Sequence, residues 1–471
     1  MNQLLLNPFI FPLLIGVGIV YIVIFFQIVN NNNKRAKIFE TICICLGIIS
    51  IYGSGGINIL QKVNPQLLYR KETTLPGILL AIGLYLIVCV FLYSRLRTTL
   101  KNYLFVLVSL FAINPFFCIY NLIVLLSSFL SDNPGYTVKA SLVFIGTNVF
   151  FIYIGKEYTF KDLFFILVWV NIELLLMSVF RGNHGGAWTG VFAHKNAFGL
   201  TMALVPIVMY LQSVRIPKYR WLFLGLAALA VFCVQKSQSG MAKVLFILLL
   251  SLLGFLRFIK RLPPRLAFAS MGMFLAIGIS LLILISENAE YIIVEKLGKD
   301  MTLTGRTYIW SLVVPAINRH PWLGYGYQGF WQPWRGLENP ANIIRHPKFG
   351  DFIPMHSHNG FLDMALNVGW VGLALFILSL LVNLYYGVQH LTRSKGPESV
   401  LPLVVLTWAV MSNITENGID TITSSWILYV VMTARLTMDN TLDNFRGKPQ
   451  LQESYNQSRL RLNSSNRGEG G

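Results

Sequence analysis

Apolar runs of about twenty residues recur along the whole chain, and no other feature restricts its fold so strongly. Such a run crosses a hydrocarbon layer of ~30 Å as an α-helix, which satisfies all of its own backbone hydrogen bonds there. Runs at 8–29, 38–57, 76–94, 103–130, 139–155, 162–180, 196–213, 220–235, 240–257, 265–285, 360–387, 399–415 and 422–436 predict about 12–13 spans. The expected fold is therefore all-α, a polytopic membrane bundle. Only 12% of the 471 residues are charged, against the roughly 25% usual in soluble domains, which excludes a cytosolic enzyme. No basic segment precedes the first run, so it reads as a retained span rather than a signal peptide.

The charge is unbalanced, with 38 Lys+Arg against 20 Asp+Glu and a net charge of +18. No basic helix carries base-reading residues, so nucleic acid is not the expected partner; the lipid bilayer is. Every second loop is basic, as in Lys34-Arg35 with Lys37, Arg95 with Arg97, Lys156 with Lys161, Arg215 with Lys218, and Arg257 with Lys260. That alternation places these loops in the cytoplasm and the N-terminus outside. The five cysteines lie in apolar runs and form no CxxC pair, so neither a disulfide framework nor a thiol metal site is expected.

The expected organisation is a transmembrane bundle over 1–285, an extracytoplasmic loop over 286–358, further spans over 359–436 and a disordered cytoplasmic tail over 437–471. The large loop is too polar to span. It holds Trp310, Trp322, Trp331 and Trp334, an aromatic content that argues for a folded cap with short helices.

The chemistry-bearing residues gather at the outer ends of the spans. His358 closes the large loop in Met355-His356-Ser357-His358-Asn359-Gly360, where an imidazole can accept a proton near neutral pH. The alternative is an interfacial histidine that bonds only water or a carbonyl. His346, His356 and His358 lack the spacing of a known metal motif, so no metal and no other cofactor is expected. Asn359, Asp363 and Asn367 recur every four residues and share one helix face, either around a substrate or as a packing seam. Ser412, Asn413, Glu416 and Asp420 form a second polar cluster, and Glu173 is a third acid inside an apolar run. Arg306 offers a planar fork for phosphate, and Arg181, Lys195, Lys236 and Lys243 are further outer cations. Gly324-Tyr325-Gly326-Tyr327-Gln328-Gly329 matches GxGxxG but lacks the βαβ context of a dinucleotide site. It reads as a tight aromatic turn or a sugar-stacking surface.

Four segments together resemble the bacterial O-antigen ligase and polymerase superfamily. His358-Asn359, nine residues and then Gly369-Trp370-Val371-Gly372 resemble its H-[NSQ]-x9-G-x-x-[GTY] signature. Gly190-Val191-Phe192-Ala193-His194-Lys195-Asn196 through Gly199, Gly305-Arg306 with Trp310, and His320-Pro321-Trp322-Leu323-Gly324-Tyr325-Gly326 resemble three further family segments. The resemblance covers about residues 185–375 and implies a GT-C-like bundle that transfers glycans from undecaprenyl pyrophosphate with inversion and without metal. It implies His358 and Arg306 as catalytic residues, the imidazole deprotonating the acceptor and the guanidinium holding pyrophosphate. Asn359, Asp363, Arg181, His194, Lys195, Asn196, Lys236, Lys243, Trp310 and Tyr325 are the further residues expected around the substrate. Where the family often carries Arg or Lys after Ser-x-Ser, this chain has Gly240 after Ser237-Gln238-Ser239, and Lys236 or Lys243 is the expected substitute.

The partners so implied are an undecaprenyl-pyrophosphate-linked oligosaccharide, a glycan, lipid or protein acceptor, a flippase and a chain-length regulator. The location implied is the bacterial cytoplasmic membrane, with the site facing the exterior. A transporter or channel for a small anion is the rival, but it would favour internal repeats and a midplane site. Here the polar residues cluster at one face.

Overall fold

The structure is a computed structural model that describes residues 41, 103–181, 186–192, 194–297, 305–340, 356–419 and 421–446. The chain divides into two compact units, one of residues 1–50 and 57–105 and one of residues 51–56 and 106–471. The expected spans 8–29, 38–57 and 76–94 lie outside the described residues, and the elements named below belong to the second unit. It comprises α1 (Pro115–Leu126), α2 (Pro134–Glu157), α3 (Phe160–Arg181), α4 (Lys195–Arg215), α5 (Arg220–Lys236), α6 (Gly240–Ile259), α7 (Pro264–Leu297), α8 (Gly305–Arg319), α9 (Gly360–Arg393), α10 (Leu401–Ser412) and α11 (Ser424–Arg446). The described residues contain no strand. Seven described helices are long and apolar enough to cross a membrane: α2 to α6, the first part of α7, and α9.

Local sequence sets the helix starts. Asn114 and Asn133 each accept a backbone N–H two or three residues on, and Pro115 and Pro134 follow them at the first helical position, where a missing N–H costs nothing. Ser239 caps α6 in the same way through the Ala242 N–H. α4 is the central helix, with 83% of its apolar window buried, and all twelve residues of α10 are buried beside it.

Four expectations about spans and their flanks change. The run 103–130 is not one straight span, because a 105° bend separates the helix ending at Ile113 from Pro115–Leu130. Pro115 cannot donate to the preceding turn, and the Asn114 amide instead bonds the Ser379 carbonyl at 3.2 Å and Asn383 Oδ1 at 3.1 Å. The run 399–415 yields only the twelve-residue α10, about 18 Å long at ~1.5 Å per residue, and residues 413–419 turn back into the bundle. α11 continues past 436 to Arg446, so the first ten residues of the expected tail are helical. α7 likewise runs to Leu297, into the expected loop.

Polar side chains bind the apolar helices together. Trp426 Nε1 donates to Asn148 Oδ1 at 2.7 Å, and Asn148 Nδ2 donates to Asn121 Oδ1 at 2.7 Å. Asn383 Nδ2 donates to Thr433 Oγ1 at 2.7 Å, and the Ser379 and Tyr429 hydroxyls share a 2.6 Å bond. In lipid such bonds contribute roughly 1 kcal/mol each, since helices gain little there from burying carbon. Gly155 lets α2 approach α11 closely, as a Cβ would lie 2.6 Å from the Val431 carbonyl oxygen.

At the end of the bundle away from residue 358, Arg435 is 7% exposed and ion-pairs with Asp439, whose other oxygen lies 3.1 Å from His390 Nδ1. Burial alone would raise the Asp439 carboxyl, but the His390 hydrogen bond and the Arg435 charge outweigh it and hold the group below its usual range. The resulting stabilisation is present above about pH 4 and is lost as acidification passes through the depressed value. Asp439→Asn strands a buried guanidinium and is expected to cost about 2–3 kcal/mol, read as a lower Tm in detergent.

Candidate active site

The segment before α9 is short, strained and heavily tied. Asn359 caps α9 by accepting the Phe361 N–H at 3.0 Å and the Leu362 N–H at 3.2 Å. Asp363, 1% exposed, accepts the Ser357 N–H on both oxygens at 3.0 and 3.1 Å, and the Trp331 indole N–H at 2.8 Å. The Trp310 indole donates to the Ser357 carbonyl at 2.9 Å. Ser357 is thereby fixed on both sides, and its neighbour His358 adopts φ +56°. That left-handed conformation costs a residue with a Cβ roughly 1–2 kcal/mol and is held by the His358 N–H bond to His356 Nδ1 at 3.1 Å.

The strain turns the His358 ring toward Glu416, with Nδ1 3.4 Å from Oε2. Glu416 is also the acceptor for Asn196 Nδ2, at 2.8 Å on Oε1. Asn196 stands in the first turn of α4, which His194 caps through Nδ1 at 3.3 Å. Gly360 N–H closes the assembly by donating to the Asn413 carbonyl at 2.8 Å and the Glu416 carbonyl at 3.1 Å. A Cβ on Gly360 would lie 2.8 Å from Asn413 Oδ1, so glycine permits this contact. Three segments far apart in sequence therefore meet at one imidazole and one carboxylate. His356, His358 and Glu416 each offer a ligand atom, all within 4.8 Å of one another, and this trio could hold a metal ion.

A cap formed by residues 320–339 packs on α9 beside the site. Gly369 breaks α9 with φ +69° and ψ −175°. The break frees two N–H groups for the cap: Trp370 donates to the Pro321 carbonyl at 2.7 Å and Val371 to the Trp322 carbonyl at 3.2 Å. One turn earlier the Tyr325 N–H donates to the Leu366 carbonyl at 2.8 Å, and the Gln328 N–H donates to Asn367 Oδ1 at 3.1 Å. Arg335, 3% exposed, holds the cap from within. It pairs with Asp132 at 3.0 Å, donates to the Gly329 carbonyl at 3.0 Å and lies 4.3 Å above the Tyr325 ring.

The expected site residues are thus differently placed. His358, Asn196 and His194 converge through Glu416, while Asn359, Asp363 and Trp310 surround Ser357 and set the loop. Tyr325 is 1% exposed and bonds the Ala316 carbonyl at 3.0 Å, so it belongs to the interior of the cap. Arg181, Lys195, Lys236 and Lys243 occupy helix ends on the site side of the bundle. The turn bearing Lys236 packs on the start of α4, where a Cβ on Gly199 would lie 2.7 Å from Ser237 Oγ. Gln238 in that turn is left-handed, at φ +52°. Arg306 sits in the first turn of α8, and its side chain lies outside the described part of the structure, as do His346 and Asp420.

Glu416 was visible in the sequence only as one member of a polar cluster. Asp363→Asn tests the positioning role: it keeps one acceptor oxygen but loses the charge-assisted pair. Thermal stability in detergent is expected to fall by about 1–2 kcal/mol from the weakened bonds, with Asp363→Ala losing more. A Tm for Asp363→Ala equal to wild type would contradict the described ties to Ser357 and Trp331.

Residues 222–377 match the family model described as O-antigen ligase. The chain is 29% identical over 224 residues to the exopolysaccharide production protein ExoQ of Rhizobium meliloti (strain 1021). That match covers 46% of this chain and 50% of the relative, so the chain spans about half the length of the curated relative. The matched segment contains the cap, His358 and the Gly369 break. Over residues 222–377 the chain is therefore similar to the O-antigen ligase family.

Proposed function

We propose that this protein is an integral-membrane glycosyltransferase that polymerises or ligates undecaprenyl-pyrophosphate-linked glycans at the outer face of a bacterial cytoplasmic membrane. One observation carries the reading: His358 is held in a costly left-handed conformation that brings its imidazole to the Glu416 carboxylate beside a docked cap. Strain of this kind persists only where surrounding contacts over-determine it, and such residues cluster at functional sites.

The chemistry follows from that pair. With Nδ1–H donated to Glu416, the ring's basic nitrogen is Nε2. It takes the proton of an acceptor hydroxyl as the oxygen attacks the sugar's anomeric carbon from the face opposite the pyrophosphate. The carbon–oxygen bond to pyrophosphate breaks, the pyrophosphate leaves with the bonding pair and one negative charge more than it carried in the donor, and Arg306 and the cations at the same end, Lys236 and Lys243 among them, neutralise it. The donor bond supplies the energy, so the protein positions, neutralises and removes one proton. Exopolysaccharide polymerisation is the preferred reaction, in keeping with the name of the Rhizobium relative as an exopolysaccharide production protein. A flippase that delivers donor and a regulator that limits chain length are the proposed partners.

The test is incubation of the purified protein with undecaprenyl-pyrophosphate-linked repeat units. A ladder of products supports polymerisation, and a single transfer to a second acceptor supports ligation. Neither product would refute the reading. Arg306→Ala is expected to abolish transfer, and EDTA to leave it unchanged, because the proposed reaction uses no metal at the His356, His358 and Glu416 trio.

A further inference from the structure

Beside the site, the cap and the start of α2 build an aromatic surface that the transfer reaction does not use. The rings of Tyr136 and Trp334 meet edge to face at 5.1 Å and 73°. Tyr136 is 37% exposed and Trp334 43%. Gln332 adjoins Tyr136, its Nε2 donating to the Tyr136 hydroxyl at 3.0 Å and to the Gln328 carbonyl at 2.9 Å. The backbone beneath is fixed, since Asn339 Nδ2 donates to the Gln332 carbonyl at 3.2 Å and buried Arg335 ties the cap to Asp132. The surface is therefore preorganised, and ordering it on binding costs little.

Polar groups and exposed apolar side chains both adjoin it, with Phe129, Leu130 and Leu337 among the latter. Asp132, four residues before Tyr136, leaves 62% of its side chain exposed, and Asn133 is exposed beside it. A carboxylate so exposed is costly against acyl chains and ordinary in water. Exposed rings next to amides in water suit a ligand with a CH-rich face and a rim of hydroxyls. The ring packs against the face, and the amide bonds the rim. Apolar peptides and acyl chains have no use for the amides, and anions gain nothing from neutral rings.

We propose that Tyr136, Gln332 and Trp334 form a glycan-binding platform that holds the sugar chain away from the reacting bond. It connects to the reaction centre through the chain itself, because Trp331, adjacent to Gln332, donates to the Asp363 carboxylate that fixes the His358 loop. The inference rests on the proposed function for the identity of the chain, the growing or acceptor glycan. The binding surface has its own readout. A polymerase that grips its chain there adds several units before release, so the platform sets product length rather than the rate of one transfer.

The test uses the full-length protein in nanodiscs on a printed array of bacterial oligosaccharides. The wild type is expected to bind a subset of glycans, and Trp334→Ala to lose at least about 10-fold of that signal, with Tyr136→Phe intermediate because it keeps the ring and loses the hydroxyl. Phe180→Ala, which removes an 87% exposed ring on α3, is expected to bind as wild type. His358→Ala should also bind as wild type, which separates the platform from the transfer reaction. In the transfer assay, Trp334→Ala is expected to shorten products while leaving the first transfer unchanged. Array binding by Trp334→Ala equal to wild type, no glycan bound by wild type, or quenching of Trp334 fluorescence by brominated acyl chains would each overturn the platform. A platform that binds glycans in a protein without transfer activity would instead overturn only the enzymatic reading.

Discussion

His358→Ala is expected to lower glycan transfer by about 10³-fold, within the roughly 10²–10⁴-fold range of a positioned general base, while the protein still inserts and melts near the wild-type temperature. The fold should survive because the loop is tied through neighbours: Ser357 by Asp363 and Trp310, and Gly360 by Asn413 and Glu416. Alanine keeps the Cβ, so the left-handed strain at φ +56° is the same in the variant. Glu416→Gln should cost less, about 10–100-fold, because the carboxylate acts only through the ring it orients. Since the two groups act as a unit, the double variant should be no slower than His358→Ala alone. Additive losses would mean that Glu416 acts elsewhere, and a normal rate in His358→Ala would end the assignment of the base.

Gly369→Ala should produce the largest loss of stability of any single methyl group added to α9, about 3–5 kcal/mol. The residue combines φ +69° with ψ −175°, a conformation essentially reserved for glycine. A Cβ there would also run into the carbonyl group of Trp322 and the amide nitrogen of Leu323. Both are backbone, so no rotamer change relieves the clash. The cap would have to leave α9, with the loss of the Trp370 and Val371 hydrogen bonds. Gly254→Ala in α6 is the control, since a Cβ there meets nothing within 4 Å, and it should be neutral or slightly stabilising. The pair is compared by thermal unfolding in detergent and by yield. A Tm for Gly369→Ala within a degree or two of wild type would contradict the described docking of the cap.

Residue spacing brings out candidate groups but not their partners. The four-residue spacing of Asn359, Asp363 and Asn367 predicts one helix face, whereas Asn359 stands just outside the helix as its cap, with Asp363 and Asn367 within it. Their tasks differ as well: Asn359 caps the helix, Asp363 grips the Ser357 amide and Asn367 receives the cap at Gln328. Periodicity tells which side a group faces, and nothing in it tells what stands opposite. Glu416 was under-read for a related reason. Hydropathy carries the preceding span to 415, whereas α10 ends at Ser412 and the chain folds back, turning an acid at a helix end into the partner of His358. The glycines of 324–329 serve close approach, because a Cβ on Gly324 would lie 2.8 Å from the Asn367 carbonyl carbon.

By itself, the sequence determined that this chain is a helical membrane protein and that its reactive residues gather at the ends of its spans. Burying carbon in lipid and satisfying backbone groups within each helix are local demands, and composition answers them run by run. Only the tertiary structure decided that residues 196, 358 and 416 form one constellation, that Tyr325 is interior, and that Tyr136 stands beside Trp334. Those pairings join segments up to 220 residues apart. They arise from the docking of loops and helix ends, where hydrogen-bond geometry and steric room choose among partners that hydropathy treats alike.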